Sequence, residues 1–176
     1  MSKYYSELLG ATVYPFKNTI LFYGGIFSQW AECKFSVYIG GESYRVNCAE
    51  QAMMLNKANF FKDEEIFDSV LNSRDPRAQK ALGRIVKNFD PVKWGEVAFD
   101  LVVAANVAKF SENKAWRELL FMTYPMTLVE ASPTDRIWGI GYGEENPNVF
   151  VEEGNWGTNL LGKALVLARN ILLEQI

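Results

Sequence analysis

The sequence predicts an α+β fold, a mainly α-helical single domain over residues 1–176 with a small β-sheet and hairpin. Three observations carry that reading. Asp75-Pro76 and Asp90-Pro91 each place a capping carboxylate and a first-turn proline ahead of a helix-forming stretch. Gly40-Gly41 separates two short β-prone segments, a two-residue hairpin signal. In 176 residues, 49% hydrophobic content against 22% charged is enough for one real core.

In chain order, residues 12–23 (TVYPFKNTILFY) gather β-branched and aromatic residues around Pro15, predicting a short strand or extended entry closed by Gly24-Gly25. Phe27-Ser28-Gln29-Trp30 then reads as loop. The hairpin pairs Phe35–Ile39 with Glu42–Val46 and feeds straight into a helix over Cys48–Phe61, CAEQAMMLNKANFF. Asp63-Glu64-Glu65 supplies the first-turn acids of a helix ending near Leu71. Asp75-Pro76 opens one running to Val86, and Asp90-Pro91 opens the longest, to about Phe110, with Trp94 in its first turn. Asn113–Met122 is a short helix, Met126–Glu130 a strand, residues 132–158 a long glycine-rich loop, and Leu160–Leu173 a final apolar helix. No repeat, linker or low-complexity tract interrupts this order.

Composition narrows the chemistry. There is no histidine, which removes Ser-His-Asp and Cys-His machinery and histidine-ligated zinc or iron. Two cysteines are too few for a cysteine-only zinc site, and they read as a reduced pair used in packing. A net charge of −3 without a basic tract gives no broad footprint for duplex nucleic acid. MSKYYSELLG lacks a signal-peptide run, and Asp100 and Asn106 cut the longest apolar stretch, so a soluble, cytoplasmic chain with no membrane span is expected. Aromatics at 14% suit a pocket that stacks flat ligands, although large cores use them too.

Within Cys48–Phe61, Glu50, Met54, Lys57 and Phe61 fall on one row of an otherwise apolar helix. At helical rise Glu50 and Lys57 stand roughly 10 Å apart, too far for an easy ion pair. An unpartnered buried charge costs several kcal/mol, so either other protein groups or a ligand satisfies them, unless the row is a solvated edge. In the long loop, Asp135-x-x-Trp138-Gly139-x-Gly141 places a carboxylate near a ring on thin backbone. The plain alternative has Asp135 capping a turn and Trp138 filling the core.

The motifs taken together resemble the NADAR, or YbiA-like, family of N-glycosidases. They are Phe27-Ser28-Gln29-Trp30, Glu50 with Lys57-Ala58, Leu82-Gly83-Arg84, Trp94, Lys109-Phe110 with Asn113, Glu130-Ala131, the Asp135 loop, and Gly157-x-Asn159-x-x-Gly162. The resemblance runs from about Phe22 to Arg169, and the Glu50–Lys57 helix and the Asp135 loop are its most specific parts. Met54 departs from the glutamine that many members carry. The resemblance implies hydrolysis of an N-glycosidic bond between a ribosyl group and an exocyclic amine. Substrates would be ribosylaminopyrimidine phosphates of the riboflavin pathway, or ADP-ribose on guanine, including ADP-ribosylated nucleic acid. It implies no cofactor and no metal.

Such a reaction needs charge stabilisation at C1′, proton transfer at nitrogen and a nucleophile. Glu50 and Asp135 are the candidate carboxylates. Lys57 is the candidate amine for imine exchange after ring opening, or the anchor for phosphate. Trp94 and Trp138 would stack the base or else pack the core, and Arg84 would meet phosphate or stand as a surface charge. Asn159 would cap the last helix or donate to the ribose, and Ser28 and Gly139 complete the expected substrate contacts. A non-catalytic module binding ADP-ribose or NAD is the alternative to an enzyme.

Overall fold

The computed structural model describes residues 2–176. In chain order its regular elements are β1 (Tyr4–Ser6), β2 (Ala11–Tyr14), β3 (Thr19–Phe22), β4 (Phe35–Ile39), β5 (Glu42–Val46), α1 (Ala49–Phe60), α2 (Glu64–Asn72), α3 (Pro76–Arg84), α4 (Pro91–Glu112), α5 (Lys114–Met122), β6 (Thr127–Glu130) and α6 (Leu160–Leu173). The architecture is α+β, as the sequence predicts. The chain forms two compact units, one of residues up to Ser28 with Ala115–Ile176, the other of Gln29–Lys114.

In the first unit a four-stranded sheet has the order β1-β2-β3-β6. β1, β2 and β3 pair antiparallel, while β6 joins β3 in parallel, with Thr19 opposite Thr127 and Phe22 opposite Glu130. The single extended entry expected over 12–23 is in fact two strands. Pro15–Lys17 forms a 3-10 turn and Asn18 takes a left-handed φ of 49°, so the chain reverses between them. Asparagine tolerates that conformation better than most residues. β1 carries no alternating pattern and was not legible. The core gathers Leu21, Val129, Ala131, Ile140 and Val149, with Tyr14, Tyr142, Phe150 and Trp156 packed against it. α6 packs on β6, and a Cβ at Gly162 would stand 2.1 Å from the Leu128 carbonyl oxygen, so glycine permits this contact.

The second unit starts with the predicted hairpin. Gly40 and Gly41 have φ of 61° and 93°, the pair of positive values a tight two-residue turn requires. α1 then packs against α2, α3 and α4. Its N-cap is Cys48, whose Sγ accepts from the Gln51 N–H at 3.4 Å and donates to Gln79 Oε1 at 3.2 Å. The buried Gln51 amide donates to the carbonyls of Val70, Leu71 and Ser73, binding α1 to the α2–α3 corner. Asp63, Asp75 and Asp90 cap α2, α3 and α4 with their side chains. The far end of α4 is tied to β4 by Glu112, which accepts from the Ser36 N–H at 2.7 Å and from Arg45.

α4 also carries Lys109, fully buried, whose amine burial lowers to about 8 against the opposing pull of Cys33 and Cys48. In the unfolded chain an ordinary lysine stays protonated to about 10.5. Between those values the unfolded state binds more protons, so stability rises with pH across that window. Lys109→Met is expected to abolish this rise. In denaturant melts from pH 7 to pH 10.5 the wild type should gain on the variant by on the order of 3 kcal/mol. Parallel curves would show that burial of Lys109 carries no such penalty.

Candidate functional site

On α1, Glu50 and Lys57 are both buried, at 5% and 8% exposure, with Met54 between them at 6%. The alternative of a solvated edge therefore fails for both charges, which lie in the interior. Two things fix the position of the row. The Glu50 N–H donates to the Gln29 carbonyl at 2.9 Å, joining the first turn of α1 to the Gln29-Trp30 segment. Met54 fills the space that a side chain at position 83 would need, since a Cβ there would lie 1.8 Å from its Sδ. Gly83 thus lets α3 approach α1 and sets Arg84 at the last turn of α3, with its side chain exposed.

Burial is the largest influence on Lys57 and lowers its pKa below the ordinary lysine value. The Glu50 carboxylate opposes that shift, and the Arg84 guanidinium reinforces it. Lys57, Glu50 and Arg84 are therefore one electrostatic group. The Lys57 Nζ lies 3.9 Å from the centre of the Phe89 ring, a close cation–π contact. Phe89 in turn meets Phe61 edge-on at 5.5 Å, and Trp94 lies 6.2 Å from Phe60 and 6.5 Å from Phe61. Trp94 is 8% exposed, whereas Phe60 and Phe89 are 39% and 40% exposed. The rings presented outward from this cluster are the two phenylalanines, with Trp94 packed behind them. Sequence reasoning missed both. Phe60 stands beside the row, but nothing in the spacing of Phe89 links it to Lys57.

In the other unit, Asp135, Trp138, Gly139 and Asn159 form one knot of backbone bonds. Asp135 Oδ1 accepts from the N–H groups of Ile137 and Trp138, both at 2.8 Å, which is the turn-capping role weighed for it. Asn159 does not cap α6 through its side chain. Instead its Oδ1 accepts from the Glu130 N–H and its Nδ2 donates to the Leu128 carbonyl, both at 3.0 Å, so it clamps the outer edge of β6. Its backbone, at a left-handed φ of 52°, donates to the Gly139 carbonyl at 3.2 Å. A Cβ at Gly139 would come within 2.8 Å of Ser132 Cβ, so only glycine fits without displacement. Trp138 is half-buried, and Ser28 is half-buried at the end of the 3-10 turn Gly25–Phe27.

The structure thus brings Glu50, Lys57, Arg84 and Trp94 into one unit and Asp135, Trp138, Gly139 and Asn159 into the other. A cavity of about 350 Å³ beside β6 and α6 is lined by Asn159 alone of the expected residues and by no carboxylate, so the proposed chemistry does not centre there. Among the described residues no group of three or more Cys, Asp or Glu side chains could hold a metal ion. No helix among them is long and apolar enough to cross a membrane.

Comparison with known proteins adds independent findings. The profile of the NADAR domain matches residues 18–173. N-glycosidase R617 of Acanthamoeba polyphaga mimivirus is 42% identical over 146 residues, covering 82% of this chain and 85% of that protein. An N-glycosidase of Nostoc punctiforme is 32% identical over 108 residues, 61% of this chain and 62% of its own length. The NMR structure of the Escherichia coli protein YbiA superposes with a TM-score of 0.70 at 26% identity, covering 90% of this chain and 87% of that one.

Proposed function

This chain belongs to the NADAR family, and from that premise we propose that it is an N-glycosidase acting on ribosylated exocyclic amines. The observation that carries the reading is the Glu50–Lys57 row of α1. A carboxylate and an amine are held buried two turns apart on one helix, and an exposed guanidinium acts on the amine. The names of the mimivirus and Nostoc relatives support the reaction class.

In this scheme the ribosylamine ring opens to an imine at C1′. Lys57, as the neutral amine, adds to C1′ to give a gem-diamine, its surplus proton passes to the leaving nitrogen, and the C1′–N bond to that nitrogen breaks as the Lys57 imine forms. Water then hydrolyses the Lys57 imine and frees the sugar aldehyde, which recloses. Glu50 stabilises the cationic centre at C1′ and takes the proton from water. Arg84 meets the phosphate. Phe60 and Phe89 offer ring faces to the base, with Trp94 as their backing. Trp138 and Ser28 contribute further substrate contacts, and Gly139 and Asn159 serve by holding the Asp135 loop in shape.

The substrates we propose are ribosylaminopyrimidine phosphates of riboflavin synthesis and guanine bearing ADP-ribose. Chromatography of products from each, in buffer containing EDTA, tests the reading. Release of ribose 5-phosphate or ADP-ribose is expected, because no step draws on a metal ion. Tight binding of ADP-ribose without turnover of either substrate would instead identify a binding module.

Asp135 is proposed as the second catalytic carboxylate, and its cap makes the test clean. In Asp135→Asn the amide oxygen still accepts from the Ile137 and Trp138 N–H groups, so the loop should survive while the charge is lost. A fall in kcat of about 10-fold or more with an unchanged melting temperature is expected. Equal turnover would reduce Asp135 to its turn.

A further inference from the structure

The Lys57 amine is held against an aromatic ring that belongs to none of the expected site residues. Phe89 lies in the short connection between α3 and α4, and that connection is fixed from several sides. The Lys87 N–H donates to Asp63 Oδ2 at 2.8 Å, while the Lys87 amine pairs with Glu65 at 2.7 Å. Asn88 turns the chain through a left-handed φ of 57°, and Asp90 immediately afterwards caps α4. Phe89 is therefore presented on a turn tied to the start of α2 and to the start of α4. One part of its ring packs against Phe61, its face lies 3.9 Å from the Lys57 Nζ, and 40% of the residue is still exposed.

We propose, resting on the role given above to Lys57, that Phe89 is a positioning residue: its ring face holds the Lys57 amine in place and favours its ammonium form. The ring quadrupole attracts a cation and offers little to a neutral amine, so the contact opposes the effect of burial. The other influences on this amine come from each neighbouring element. Glu50 on α1 favours the cation, and Arg84 on α3 disfavours it. On the α2 side Glu65 is engaged by Lys87, and at the start of α4 Asp90 Oδ1 is engaged by the N–H groups of Val92 and Lys93. Of the two charges that act on the amine, Glu50 favours the cation, and the ring of Phe89 adds to it from the opposite chain segment. Phe89 thereby shifts the balance between the two forms of the amine toward the ammonium.

The test reads the amine directly as well as the activity. Lysines are reductively methylated with 13C-formaldehyde, and the Lys57 signal is identified by its loss in Lys57→Arg. Its titration midpoint is then compared in wild type, Phe89→Leu and Phe89→Tyr. Leucine keeps an apolar side chain but has no ring, and the midpoint should fall by roughly half a pH unit or more. Tyrosine keeps the ring and should restore it. The limb of the kcat/KM profile that reports Lys57 should move to lower pH in Phe89→Leu by the same amount, whether the neutral or the charged amine is the active form. If leucine unsettles the turn, as thermal melts would reveal, Phe89→Met gives the same comparison. An unchanged midpoint in a folded ringless variant overturns the inference. Full activity of Lys57→Ala would instead overturn the role of Lys57 itself, and the titration distinguishes the two failures.

Discussion

Glu50→Gln is expected to lower kcat/KM by about 10²- to 10⁴-fold with no loss of fold. The size follows from where the carboxylate sits. At 5% exposure it acts in a medium that screens charge far less than water does. A cationic centre at C1′ placed before it would gain much of its stabilisation from that one charge. Glutamine keeps the volume and an accepting oxygen but neither the charge nor the basicity. The fold should tolerate the change because the tie between α1 and Gln29 runs through the Glu50 backbone N–H, which the substitution leaves intact. The favourable placement of an acid in the first turn of a helix would be lost, a matter of roughly 0.3–1 kcal/mol. Removing a buried charge works in the other direction. Turnover within a few-fold of wild type, in a protein with the same melting temperature, would take Glu50 out of the mechanism.

The elements legible in the sequence are those written in local chemistry. Asp63, Asp75 and Asp90 announce three helix starts, and each side chain makes the capping bond that the residue type implies. Gly40-Gly41 announces its turn in the same way. The Glu50–Lys57 row is legible because helical periodicity alone puts both residues on one line. What lies beyond reach is decided by distant partners. Nothing near Met54 shows that it fills the gap over Gly83, and nothing near Phe89 shows that its ring faces an amine on α1. Asn159 illustrates the same limit, since a residue before a helix reads as a cap. In the fold it faces β6 and satisfies edge groups that no other strand covers. β1, three residues long and mostly exposed, owes its place to its pairing with β2 and to the turn after it, where Ser6 accepts from the Gly10 and Leu9 N–H groups.

Lys57→Ala is expected to remove most activity, and the more informative comparison is with Lys57→Arg. Burial lowers the pKa of Lys57 and so supplies neutral amine at a lower pH than an exposed lysine would. An imine-forming amine needs that neutral form, and its rate should climb as pH rises through the pKa. A phosphate anchor needs the ammonium, and its contribution should fade over the same interval. The two roles therefore predict opposite slopes in the pH profile of kcat/KM. Arginine keeps the charge and cannot form an imine, so under the first role Lys57→Arg should be as inactive as Lys57→Ala. Borohydride added during turnover should then trap one sugar on the wild-type chain, at Lys57 and nowhere else. Under the second role Lys57→Arg should retain most of kcat and no adduct should form. The imine role is the one we favour, because Arg84 is already an exposed cation for the phosphate. A lysine meant only as a second anchor would gain nothing from burial that weakens its charge. Unaltered kcat and KM in Lys57→Ala would exclude both roles and leave Lys57 without a chemical purpose.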